Sequence, residues 1–279
     1  MDYAGFAPWL ARWKLIPDGQ PLITAGSQLL AVKCQADGSQ AMLKLTHDES
    51  EQRGNALMAW WNGHGAAPVI AHEKEAILLA RATGPASLTA MSYDGQDDNV
   101  CRILSQAANR LHAIKKSPLP ALISLDEWFR PLMETAQRET GILARCAKTA
   151  EKLLSTPGES VPLHGDLHHD NVLDFGQSGW LAIDPKGLKG ERGFDFANIF
   201  TNPDLGHPAR QIATVPETFQ QRLAIVCGIS GIPEARLLAW IIAWCGLSAV
   251  WSWESNADAS VQLRIATLAS GALRGQNNP

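Results

Sequence analysis

The hydrophobic pattern changes character at Thr83-Gly84-Pro85, a cluster of chain breakers, and this change limits the possible folds more than any other feature. Before it, short apolar runs alternate with turn signals. Gln28–Cys34 and Gln40–Leu45 flank Ala36-Asp37-Gly38-Ser39, and Asp-Gly between two such runs predicts a hairpin that places Lys44 inside a strand. A second hairpin is expected between Pro68–Ala71 and Ala76–Ala82. Between the two, Asp48–Trp61 reads as a helix, with acids in its first turn and Leu57, Trp60 and Trp61 on its apolar side. Near the start of the chain, Phe6, Trp9, Leu10 and Trp13 share one helical face.

Beyond the break, Val100, Ile103, Leu104, Ala107, Leu111 and Ile114 keep helix spacing, and Ser124-Leu125-Asp126-Glu127 is a capping-box start. After the breakers of 155–160, the segment Val161–Asp184 turns β-like and loop-rich, and helical patterns resume at Phe194. The expected fold is therefore α+β and bilobal, with a small β-rich unit at 1–84 and a larger, mainly α unit at 85–279. Leu237–Trp253 runs seventeen residues without a charge, the lower edge of a membrane span. Its Gly246, Ser248 and Ser252, and its isolation in the chain, predict a buried core helix instead. Gly275–Pro279 reads as a frayed tail.

Charge narrows the partners. Twenty-four basic against twenty-eight acidic side chains give a net charge of -4, against a nucleic-acid or anionic-membrane binder. Five cysteines at 34, 101, 146, 227 and 245 lack any C-x-x-C pair, which fits a reducing cytoplasm and neither a disulfide framework nor a zinc knuckle. The first residues carry Asp2, no basic run and no cleavage site, so no secretory signal is expected. Oligomeric state is left open.

The chemistry concentrates in Leu163–Asn171, which reads LHGDLHHDN, followed thirteen residues later by Asp184 in Ile183-Asp184-Pro185. Transfer of a γ-phosphoryl group needs a carboxylate to orient and deprotonate the attacking hydroxyl, and oxygen ligands to hold magnesium against the phosphates. The kinase catalytic loop H-x-D-x-x-x-x-N supplies both, and His164, Asp166 and Asn171 match its spacing. Asp184, ending an apolar run just past a hairpin turn, is placed to reach the metal from a neighbouring strand.

HGDLHHDNVL, the later WLAIDPKGLKGERGFDFANIFTNP of 180–203, MLKL around Lys44 and the following EQRG resemble the aminoglycoside phosphotransferase and choline-kinase-like branch of the protein-kinase fold. Within that branch the text is most similar to the aminoglycoside and hydroxyurea resistance kinases, the streptomycin 6-phosphotransferase group. The resemblance implies ATP and Mg2+, with Asp166 as general base or hydroxyl-orienting acid, Asn171 and Asp184 as metal ligands, and Lys44 on the α- and β-phosphates paired with Glu51. It implies a hinge at Leu79–Ala82, including Arg81, against adenine, with Leu173 and Ile183 as the pocket floor. Asp195 would brace the catalytic loop. Where protein kinases carry a glycine-rich loop, only Ala25-Gly26-Ser27-Gln28 stands between strand candidates, with Ser27 beside the phosphates. Pro185 replaces Phe-Gly after the metal aspartate and no A-P-E element follows, which disfavours protein substrates.

Several residues carry two readings. Lys186, with Lys189 and Arg192, is either part of a solvated basic loop or a contact to the transferred phosphoryl group. Trp240, Trp244 and Trp251 lie on one helical face, and either pack the lobe or wall an acceptor pocket that Glu254 or Asp258 would make attractive to a cation. His164, Asp166, His168 and His169 could form a zinc cluster, against which the loop-like Gly165 argues. The expected function is ATP-dependent phosphorylation of a hydroxyl on a small molecule, first an aminoglycoside of the streptomycin type. The alternatives are a metabolic kinase for a sugar, amino alcohol or homoserine-like acceptor, and a nucleotide-binding pseudokinase.

Overall fold

The computed structural model describes residues 3–24 and 26–276; Ala25 of the expected nucleotide loop, Asp2 and the 277–279 part of the expected tail lie outside them. The chain opens with α1 (Ala7–Arg12), β1 (Leu15–Pro17), β2 (Leu22–Ile23), β3 (Gln28–Cys34), β4 (Gln40–Leu45), α2 (Glu49–Trp61), β5 (Val69–Glu73) and β6 (Ala76–Ala80). The strands form an antiparallel sheet in the order β1-β3-β4-β6-β5, with β2 also on β3. Both expected hairpins are present. The second is shifted: β6 stops at Ala80, and a bulge between Val69 and Ala71 displaces the start of β5. One face of the sheet buries Leu30, Val32, Leu43 and Leu78 under Phe6 and Leu15, with Trp9, Leu10 and Trp13 packed alongside. Lys44 pairs with Leu29 on one side and Ile77 on the other, so a lysine sits mid-sheet on the opposite face.

The helix α2 starts where the sequence places it because Asp48 is its N-cap, accepting the Ser50 and Glu51 amides on Oδ1. It buries Gly54, Leu57, Met58 and Trp61. From Ala80 the chain runs irregularly to α3 (Leu88–Met91), held by Asp174, whose backbone oxygen accepts Gly84 N–H and whose side chain accepts Ala86 N–H.

The remainder comprises α4 (Asp97–His112), β7 (Ile123–Ser124), α5 (Leu125–Trp128), α6 (Arg130–Ala136), α7 (Ile142–Ser155), β8 (Ser160–Leu163), β9 (Val172–Asp174), β10 (Trp180–Ala182), β11 (Leu188–Glu191), α8 (Gly193–Ala197), α9 (Pro216–Ser230), α10 (Glu234–Glu254) and α11 (Ser260–Gln276). Ser124 caps α5 by accepting the Glu127 amide, as the capping box predicts. Strands β7, β11 and β8 form a small sheet, and β9 pairs with β10. The apolar helix α10 packs against α7, α8 and α11. Its length and composition would suffice to cross a membrane, yet 72% of its most apolar stretch is buried in the protein. Trp240 and Trp244 are inside, Trp240 donating to Glu191 Oε1 at 2.8 Å, so the tryptophan stripe is largely lobe packing.

Two glycines let the lobes touch where the chemistry is expected. A Cβ on Gly54 would lie 1.9 Å from the Pro185 carbonyl oxygen, so α2 rests directly on the backbone that follows Asp184. Gly187, with φ +70°, meets the Arg53 backbone from the other side. Gly54→Ala should therefore cost about 1–3 kcal/mol of stability by overpacking and lower turnover, because the helix carrying Glu51 and the loop carrying Asp184 are forced apart. Thermal denaturation checks this; an unchanged Tm would mean that helix and loop are not in contact.

Candidate functional site

The catalytic-loop segment between β8 and β9 is held by backbone and buried polar contacts. The Asp195 carboxylate accepts the His164 and Gly165 amides at 2.9 and 2.8 Å and the His112 Nε2 at 2.8 Å, which is the brace the resemblance implied. His164 accepts the Asp166 amide on Nδ1, so its Nε2 carries the proton and donates to the Ile183 oxygen at 2.7 Å. One imidazole thereby ties the loop that bears Asp166 to the segment that bears Asp184. Asn171 donates from Nδ2 to the Asp166 backbone oxygen at 2.8 Å, leaving its Oδ1 to offer.

Facing this loop, Lys44 of β4 sits between Glu51 of α2 and Asp184. Ser27 Oγ donates to the same Glu51 Oε2 at 3.3 Å, tying the 24–27 turn to the pair. Lys186 closes the cluster, 3.2 Å from Glu51 and 3.4 Å from Asp184. Two ammonium groups thus meet two carboxylates. Burial alone would raise the Asp184 carboxyl, but Lys44 and Lys186 hold it down to about 2. Burial likewise opposes the charge on Lys186, and Asp184, Asp166 and Glu51 outweigh it, holding the amine above its usual value. Asp184 is one of the few non-glycine residues with positive φ, 60°, a conformation that costs energy and persists only where its surroundings enforce it.

These groups form the polar end of a cleft of about 860 Å³ between the sheet and the β9–β10 hairpin. Ser27, Leu79, Arg81, Leu173 and Ile183 line it, together with Lys44, Glu51, Asn171, Asp184 and Lys186. The Arg81 guanidinium is committed to Asp18 and Gln40, so only the rest of that residue is free to face the cleft. Leu22, Met42 and Phe175 complete the apolar wall. None of the three was expected from the sequence, although Met42 lies inside the Gln40–Leu45 strand candidate. Trp251, Glu254 and Asp258 do not line this cleft: Trp251 packs against Trp128 and Trp244, Glu254 is exposed at the end of α10, and Asp258 accepts the Ser260 amide at the start of α11.

The zinc reading is not supported. Both His164 nitrogens are engaged, and among the described residues no group of three His, Cys, Asp or Glu can hold a metal. Asp184 and Asn171 offer hard oxygens but too few to enclose an ion, which suits Mg2+ completing its shell with phosphate and water oxygens.

The pattern of the aminoglycoside/hydroxyurea antibiotic resistance kinase family matches residues 12–256. The chain belongs to this family. Over 242 residues, 87% of the chain and 90% of the relative, it is 51% identical to a streptomycin 3''-kinase of Klebsiella pneumoniae. Over 278 residues, 95% of the chain and 87% of the relative, it is 29% identical to a streptomycin 6-kinase of Streptomyces glaucescens. A solved aminoglycoside phosphotransferase APH(4)-Ia, in ternary complex with AMP-PNP and hygromycin B, superposes with a TM-score of 0.65 at 14% identity, covering 97% of this chain and 99% of that one. That likeness shows the bilobal, protein-kinase-like fold. The chain is a phosphotransferase with an alcohol group as acceptor, of the aminoglycoside-kinase type.

Within this kinase the catalytic loop carries a pH liability. His169 is buried with neither ring nitrogen bonded among the described residues, and burial, then Arg222 and His168, hold it well below its usual 6.5; burial also lowers His164. A histidine kept neutral in the fold stabilises fully above its unfolded pKa, and that contribution is lost as pH falls below it. The Tm should drop between about pH 7 and about pH 5, and drop less in His169→Leu. Parallel profiles would contradict the neutral, buried state of His169.

Proposed function

We propose that the enzyme transfers the γ-phosphoryl group of ATP, with Mg2+, to the 3''-hydroxyl of streptomycin in the cytoplasm. The observation that carries the chemistry is that Lys44, Asn171 and Asp184 line one cleft and that Asp166 is joined to Asn171, whose Nδ2 donates to the Asp166 backbone oxygen. The substrate rests on 51% identity to a streptomycin 3''-kinase, against 29% to a 6-kinase, and this favours the 3'' position over the 6 position. In this reading residues 1–84 bind the nucleotide, and residues 85–279 supply the catalytic loop and the acceptor site. Five free cysteines fit a reducing compartment where ATP is abundant.

Asp166 orients the acceptor hydroxyl and takes its proton as the oxygen attacks phosphorus, and ADP departs. Lys44 steadies the α- and β-phosphates, and Glu51 keeps its ammonium aimed. Asn171 Oδ1 and the Asp184 carboxylate would hold Mg2+, which when bound neutralises phosphate charge. Lys186, beside Asp184, faces the transferred group as a point charge.

An ADP-release assay with streptomycin, choline and homoserine, followed by NMR location of the phosphate, tests the reading. Streptomycin 3''-phosphate is expected. A 6-phosphate would correct the position, and turnover of only the metabolic alcohols would overturn the substrate. Asp166→Ala should lose about 10²–10⁴-fold in kcat with ATP affinity kept; wild-type turnover would sink the mechanism. Lys186→Ala should lower kcat by about tenfold or more while ATP binding holds, and unchanged kinetics would return Lys186 to a structural ion pair.

A further inference from the structure

The catalytic loop does not hold the Asp166 carboxylate alone. Asn198, in the turn that follows α8, donates from Nδ2 to Asp166 Oδ1 at 3.0 Å, the shortest side-chain bond that carboxylate receives. The amide has one satisfactory orientation, because its Oδ1 accepts Asn202 Nδ2 at 2.9 Å and Thr201 Oγ1 at 3.1 Å. Turned over, its NH2 would face the Asn202 amine and its oxygen would face a carboxylate. Thr201 in turn receives Trp244 Nε1 at 3.4 Å, which anchors the network in α10. Asn198, Thr201, Asn202 and Trp244 are all buried. Asn171 meets the other Asp166 oxygen only at 3.4 Å, its amine being turned mainly to the backbone.

We propose that Asn198 is a positioning residue for phosphoryl transfer: it fixes the rotation of the Asp166 carboxylate so that Oδ2 is presented to the acceptor hydroxyl. The inference rests on Asp166 acting as the hydroxyl-orienting group. A well-placed general base contributes roughly 10²–10⁴-fold, and a small misplacement forfeits a large part of that.

Asn198→Ala, Asn198→Asp and Asp166→Ala are compared with wild type in steady-state turnover of streptomycin and ATP, with Tm recorded. Asn198→Asp keeps oxygens for the Thr201 and Asn202 donors and sets a carboxylate oxygen against Asp166 in place of the donor, so it carries the test if the alanine variant fails to fold. Both Asn198 variants should lose about 10–100-fold in kcat with the KM for ATP near wild type. Wild-type kcat in Asn198→Asp beside an inactive Asp166→Ala would overturn the inference and leave the proposed mechanism standing, as would a change confined to KM. Full turnover in Asp166→Ala would overturn both.

Discussion

The ammonium of Lys44 lies between the carboxylates of Glu51 and Asp184, and these three side chains come from a strand, a helix and a loop. A cation in a largely buried position needs paired charge, and removing one partner of such a group leaves an uncompensated charge. Lys186 brings the local count to two cations and two anions, so the cluster is neutral before any nucleotide arrives. Gly54 and Gly187 make the contact sterically possible by letting α2 lie on the backbone of 185–187. The polar end of the cleft is therefore assembled by the fold itself.

From Asp184 the same order passes into the catalytic loop. His164 accepts from the Asp166 amide and donates to the Ile183 oxygen, so the loop is tied to the segment bearing Asp184. Asp195 fixes the loop backbone from beneath, and Asn198 fixes the side chain of Asp166. Both come from a single turn of chain, 195–198, immediately after β11 and α8 begin. Catalysis that depends on positioning and charge rather than on covalent chemistry is suited to such a rigid frame.

Much of this was legible in the residues. The β3–β4 hairpin has the bounds its Asp-Gly turn implies, Asp48 starts α2, and the spacing of His164, Asp166, Asn171 and Asp184 corresponds to one contiguous site. What stayed hidden depends on contacts between distant segments. Lys186, Lys189 and Arg192 look like one basic run, yet Gly187 turns the chain so that Lys186 enters the cleft, Lys189 stays exposed on β11, and Arg192 bonds Asn109 and the Ser230 backbone. Helical periodicity groups Trp240, Trp244 and Trp251 on one face but does not say what covers that face. The structure covers it with Glu191, Phe194 and Trp128, chiefly the packing of the lobe. Leu22 and Phe175 sit in a two-residue strand and just beyond a three-residue one, too short for alternation to register.

The Lys44–Asp184 pair joins the two lobes in the protein without nucleotide. A double-mutant cycle with Lys44→Met, Asp184→Asn and the combined variant, followed by denaturant unfolding without ATP or Mg2+, tests it most directly. The combined variant should lose less stability than the two single variants together, by a coupling of about 0.5–3 kcal/mol. Losses that simply add, to within about 0.5 kcal/mol, would contradict it.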